Sequence, residues 1–278
     1  MPWPFELEFM QRALLAGLAI GIAAPLVGTF LVQRRMALFG DGIAHAAFAG
    51  AGAGLLLDIW PVWTALIVAA GGAVLVEWLR SHGRATSDLA LALVFYTGLA
   101  AGSVMLGKAG ASQVGRDRYL FGSVLTASWS DVRTIALLAT LIIATIVVAG
   151  RALFAVVLDE ESARVNGLPV DRLNLVLVAL TAVTVVAAID VVGTLLVAAL
   201  MVLPVAASRL LARSFRSTLI GGAIIGAASV VFGLTASRTW DLVPGGTIVL
   251  AASTIFAVVL AIRGVRVPRD PNQHTHEH

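Results

Sequence analysis

Apolar runs alternate with short polar or charged breaks along almost the whole chain. A hydrocarbon layer about 30 Å thick takes roughly 20 helical residues to cross. Nine segments approach that length: Met10–Val32, Gly42–Leu57, Val62–Leu79, Leu89–Leu106, Val132–Ala149, Leu173–Ala188, Val191–Leu211, Leu219–Ser237 and Ile248–Ile262. The run from Leu173 to Leu210 is too long for one crossing, and Asp190 and Gly193 mark its break. The pattern predicts an all-α, polytopic bundle of eight to nine transmembrane helices, one or two of which could be re-entrant. It forms a single domain over residues 1–267. Residues 268–278, polar and interrupted by Pro268 and Pro271, read as a disordered tail.

Composition agrees with the pattern. Hydrophobic residues make up 59% of the chain and charged residues 13%, against about 25% charged in soluble domains. Mean hydropathy is +0.95. The 27 glycines suit close helix packing in lipid. With no cysteine, disulfides and thiolate metal sites are excluded. The Met10–Val32 run is too long for a signal-peptide core and reads as the first span.

Charge then orients the bundle. Arg34 and Arg35; Arg80 and Arg84; Arg151, Arg164 and Arg172; Arg209, Arg213 and Arg216; and Arg263, Arg266 and Arg269 occupy five polar breaks. Nine crossings put all five on one side, which the positive-inside rule makes the cytoplasm of a multi-pass cell-membrane protein. The N-terminus then lies outside and the C-terminus inside. The pI near 10.1 reflects these clusters rather than a nucleic-acid surface. The loop Gly107–Asp131 departs from the rule. It carries Lys108, Arg116 and Arg118 outside, and its Tyr119-Leu120-Phe121-Gly122 stretch could dip back toward the bundle.

Two motifs carry little chemistry. Gly102-Ser-Val-Met-Leu-Gly107-Lys108 has most of a phosphate-binding loop but ends an apolar span, with Ala109 where Ser or Thr belongs. The chain is therefore expected to have no ATPase of its own. Gly17/Gly21, Gly50/Gly54, Gly98/Gly102 and Gly222/Gly226 each put two small residues on one helix face, which serves packing.

Asp41 and His45 are different. Four apart, they share one face of an otherwise apolar, small-residue helix. Ionisable groups at membrane depth are costly and usually face a cavity, a partner or a substrate. Imidazole plus carboxylate suits Zn²⁺ or Mn²⁺. The plain alternative is an N-capping Asp41 beside a packed His45. One chain supplies two ligands, and a two-fold dimer would supply four. Downstream, Leu158–Pro169 predicts a short surface helix, with acidic residues leading, Ala163 in its middle, Gly167 stopping it and Pro169 blocking its resumption. Pro204 marks a kink in a span. His274, His276 and His278 alternate in the tail and are candidate loose zinc ligands. His82 reads as a solvated residue, and Asp190 as one reaching interfacial water.

The stretch Arg34–Ala46 resembles the "RRM-x-x-x-GD-x-x-x-HA" segment of the zinc- and manganese-uptake permeases of ATP-binding-cassette importers. Tyr119–Gly122 is similar to that family's "YLFG" segment, and Asp190–Ala207 to its "VG-x-L-L-V-x-A-L-L-x-x-P-A-A-x-A" helix. The resemblance runs through nearly the whole chain. It implies a bundle like the vitamin B12 and siderophore importer permeases, and a transit site at Asp41 and His45. It also implies a coupling helix at 158–169, in which Glu160, Ala163 and Gly167 serve contact with the ATPase. The implied partners are a cytoplasmic ATPase dimer that binds ATP, an extracytoplasmic metal-binding protein and a second permease copy, with no cofactor of the chain's own. It is then a transport subunit rather than an enzyme. The competing readings are a metal-chelate permease, an ion-gradient-driven transporter and an intramembrane metalloenzyme.

Overall fold

The computed structural model describes residues 5–84, 86–110, 122 and 128–263, with the backbone alone at 190–192, 195 and 196. Every regular element among them is a helix: α1 (Glu8–Gln33), α2 (Phe39–Leu56), α3 (Pro61–Ser81), α4 (Ser87–Lys108), α5 (Trp129–Leu158), α6 (Glu160–Val165), α7 (Val170–Val192), α8 (Thr194–Leu211), α9 (Phe215–Trp240) and α10 (Pro244–Arg263). Nine are long and coincide with the nine apolar runs. Among the described residues seven helices are long and apolar enough to cross a membrane, and α2 is not among them.

That exception shapes the architecture. α2 is packed by α3, α4, α7 and α8. α1 and α7 are interior too, with 67% and 72% of their most apolar windows buried, against 22–33% for α3, α4, α5, α9 and α10. The outer helices meet lipid and must be uniformly apolar. An enclosed helix can carry glycine, alanine and polar residues.

Local sequence sets the boundaries. Ser128 and Asp131 form a capping box that starts α5: the Asp131 amide donates to Ser128 Oγ at 3.3 Å, and the Ser128 amide donates to Asp131 Oδ2 at 2.8 Å. Ser214 and Ser217 repeat the device at α9. Gly193 separates α7 from α8 with φ 83° and ψ 162°, a conformation open essentially to glycine alone. This is where the long apolar run was expected to break.

The four glycine pairs all lie at helix crossings. Pro25, inside α1, has no amide hydrogen to give the carbonyl of Gly21. Gly226 of α9 packs its backbone on that oxygen, where any Cβ would collide. Gly102 lies within α4 against the Phe48 ring, so the stretch resembling a phosphate loop is a helix–helix contact.

The helix ends segregate by charge. Arg34 at the end of α1 and Arg80 at the end of α3 both reach Glu160 of α6 at 3.5 Å. Gln33, Phe154, Arg209 and Arg213 line one polar cavity of about 300 Å³. Four of the five arginine clusters therefore share one end of the bundle. At the opposite end the Trp129 indole donates to Glu8 at 2.8 Å. The tail beyond 263, with His274, His276 and His278, and the Tyr119–Phe121 stretch lie outside the described residues.

Candidate functional site

α1 ends in a Schellman motif. The Arg35 amide donates to Val32 O at 3.1 Å and the Met36 amide to Leu31 O at 2.9 Å. Arg35 occupies the left-handed position usually given to glycine, at φ 60°. The chain turns, and α2 begins with Leu38 as its N-cap, which makes no side-chain capping bond. Asp41 is the third residue of the helix. It is not the N-cap, so the plain reading of that carboxylate does not hold. It sits in the first turn, where the helix dipole favours negative charge, and its side chain is 29% exposed. It lines a cavity of about 290 Å³ together with Asp88, Phe95 and Tyr96.

His45, one turn further on, is 1% exposed. Its Nδ1 lies 2.9 Å from the backbone oxygen of Asp41 and 3.8 Å from Asp41 Oδ1. A carbonyl oxygen can only accept, so Nδ1 carries the proton in that bond and Nε2 presents a bare lone pair. Nε2 has no partner among the described residues. The ring rests against Phe95, with centroids 4.1 Å apart. A histidine held through one nitrogen, with the other free, is arranged like a metal ligand. Among the described residues no third His, Asp or Glu joins the pair.

The site is deeper than its position at the start of a span suggests. The His45 backbone touches Gly98, which is central in α4, and a Cβ there would lie 2.6 Å from His45 O. Gly72, central in α3, faces Ala46. Gly40 meets Met201 in the middle of α8. α2 thus reaches mid-bundle by His45, while Asp41 still shares its cavity with Asp88 at the start of α4. Asp190 belongs to the last turn of α7, but its side chain is not among those described. His82 lies at the arginine-bearing end, exposed and bonded locally to Ser81 and Trp78.

The second candidate element is α6. Its N-cap Asp159 accepts from the amides of Glu161 and Ser162 at 3.0 Å and from the Ser162 hydroxyl at 2.6 Å. Those bonds, the hydroxyl's first, hold the carboxyl below its usual range. The helix closes with a second Schellman motif: Gly167 N to Arg164 O and Leu168 N to Ala163 O, both 3.1 Å, with Gly167 left-handed at φ 79°. Ala163 is buried, and Glu160 faces the bundle, where it also accepts from Asn174 at 3.0 Å. The outward surface consists of Glu161, Ser162, Arg164, Val165 and Asn166. Arg34 is buried, and loss of hydration lowers its pKa while Glu77 and Glu160 oppose the shift. Sequence reasoning places Arg34 in a cytoplasmic arginine cluster with no ligand role, although it lies in the motif that carries Asp41. Arg80 and Asn174 were missed, and no local pattern marks them.

Comparison with known proteins covers the same span. The ABC 3 transport family pattern matches residues 6–263. A "probable metal transport system membrane protein" of Treponema pallidum is 33% identical over 260 residues, 94% of this chain and 97% of that protein. The "high-affinity zinc uptake system membrane protein ZnuB" of Haemophilus influenzae is 27% identical, covering 91% and 97%. The "manganese transport system membrane protein MntC" of Halalkalibacterium halodurans is 30% identical, covering 90% and 86%. Among solved structures, PsaBC from Streptococcus pneumoniae in complex with Fab superposes with a TM-score of 0.84 at 27% identity, over 92% of each chain.

Proposed function

The chain belongs to the ABC 3 transport family, and on that premise we propose that it is the membrane-spanning subunit of an ATP-driven importer moving Zn²⁺ or Mn²⁺ into the cytoplasm. Its relatives named for zinc and for manganese support both ions. The observation that carries the site is the His45 imidazole. It is buried in the bundle, fixed through Nδ1 and open at Nε2, with the Asp41 carboxylate one turn away.

Each residue then has a task. Asp41, partly exposed to its cavity, meets the ion with negative charge. His45 supplies a neutral nitrogen ligand. Two ligands per chain hold an ion briefly, which transit requires, because a site that binds too tightly will not release. A second copy related by a two-fold axis would complete a four-ligand set. The arginine-bearing end faces the cytoplasm, where α6 docks on an ATPase subunit. Glu160 and Ala163 seat α6 on the bundle and Gly167 ends it, leaving Glu161, Ser162 and Val165 to meet the partner. An extracytoplasmic binding protein delivers the ion at the opposite end.

The test is uptake into vesicles holding this chain, its ATPase and its binding protein. Asp41→Ala and His45→Ala should each abolish uptake of one free divalent ion while the complex still assembles. Normal uptake by both variants would remove the pair from the pathway.

A further inference from the structure

Arg34 is the motif residue that the transit site leaves unexplained. It stands at the junction of α1 and α2, seven residues before Asp41, and its side chain is 7% exposed. Burying a guanidinium at a helix end is unfavourable unless it is paired. Its partner comes from far along the chain: Glu160 Oε2, 3.5 Å away, on α6.

Glu160 joins several elements. Its carboxylate meets Arg34 at the α1–α2 junction, Arg80 at the end of α3 and Asn174 near the start of α7. Arg80 is itself held by Glu77 at 2.7 Å. The rest of α6 is lightly held. Of its six residues only Ala163 is buried, and Glu160, Arg164 and Asn174 line a polar cavity of about 640 Å³. Asn174 is 4% exposed, and its Oδ1 has no partner among the described residues. A helix resting on a polar hollow can shift without uncovering much apolar surface, and its motion passes through the few groups that grip it. The turn beyond Arg34 is poised to respond. Arg35 is held left-handed at φ 60°, a strained conformation for a residue with a side chain.

We propose that the Glu160–Arg34 contact is the mechanical link that carries movement of α6 through the strained Arg35 turn to the start of α2, and so to Asp41. Arg34 and Glu160 are then positioning residues for the transit site, on the functional reading given above. A pushed or pulled α6 drags Arg34, the turn rotates about Arg35, and α2 moves with its two ligands. Breaking the link leaves ATP hydrolysis running without the ion.

The experiment uses the complete importer in liposomes, measuring ATP hydrolysis and Zn²⁺ uptake in the same sample, with thermal unfolding of each complex as a check on folding. Arg34→Gln is expected to keep assembling and hydrolysing ATP while ions moved per ATP fall about tenfold, within the range of ordinary coupling free energies. Arg34→Lys, which keeps the charge, should retain most of the ratio. The reversed pair Arg34→Glu with Glu160→Arg should recover much of what either single reversal loses. An Arg34→Gln complex with the wild-type ratio of ions to ATP overturns the link and leaves the functional reading intact. Equal loss of hydrolysis and uptake, tracking a drop in thermal stability and not rescued by the reversed pair, also overturns it and makes Arg34 an anchor only. A wild-type complex that moves neither Zn²⁺ nor Mn²⁺ overturns the functional reading, and this proposal with it.

Discussion

α2 and α6 are held by opposite means. α2 is enclosed by four helices through glycine and alanine contacts, with backbone against backbone at Gly98. α6 is six residues long, capped at both ends by its own sequence and fastened to the bundle mainly through Glu160. Close packing cannot be adjusted by a few tenths of an ångström without cost, so α2 can move only as a rigid unit with the residues it carries. A capped helix on polar ties folds locally yet can be displaced as a unit. On the proposed reading α6 is the lever and α2 the rigid body that it turns, with Asp41 and His45 keeping their spacing.

The sharpest way to break this contrast is to overfill the α2 crossing. Gly98→Leu would drive a side chain into the His45 backbone, and overpacking of this kind costs about 1–3 kcal/mol or more. Thermal unfolding of the purified protein should show a large loss. Glu161→Ala on the outward face of α6 should leave the melting temperature unchanged. Next, His45→Phe keeps a ring against Phe95 and preserves the fold but removes the nitrogen. Zn²⁺ uptake should fall at least tenfold, as loss of ligand support commonly does, with little change in unfolding temperature.

The two Schellman motifs give a finer test. At Gly167, alanine imposes the left-handed penalty of about 1 kcal/mol and should destabilise the protein. At Arg35 that penalty is already present, so Arg35→Gly relieves it and should raise stability slightly in unfolding experiments. The smallest effect belongs to Asp159. Its folded pKa is depressed, so its capping contribution is complete above the unfolded carboxylate range and disappears as pH falls through the folded value. The protection of the Glu161 and Ser162 amides against hydrogen exchange, relative to the intrinsic rate at each pH, should fall on acidification, and Asp159→Asn should flatten that dependence.

Much of the frame could be read from the chain. The nine apolar runs match the nine long helices, Gly193 breaks α7 from α8, and Gly167 stops α6, because each depends on neighbours within a few residues. The apolar pattern puts the start of α2 at Gly42, three residues late. Leu38 caps the helix with backbone alone, and Phe39 and Gly40 carry no start signal. The Asp41–His45 pair was visible because four-residue spacing is itself a local pattern. Its depth was not, since depth is set by contacts with Gly98, Gly72 and Met201 on other helices. The Arg34–Glu160 pair joins residues 126 apart. No periodicity encodes such a pair, and it exists only once packing has brought α1, α3 and α6 to one end.

The depth of α2 has an electrical consequence. His45 lies level with Gly98, about 15 Å along α4 from either end at 1.5 Å per residue. On the proposed reading, a divalent cation reaching that level would have crossed about half of the transmembrane voltage. Each charge crossing a full 100 mV changes energy by about 2.3 kcal/mol, so two charges over half the drop gain about the same amount. With the arginine-bearing end inside, as proposed, and the interior negative, the membrane potential would help load the site from outside and resist the ion's return.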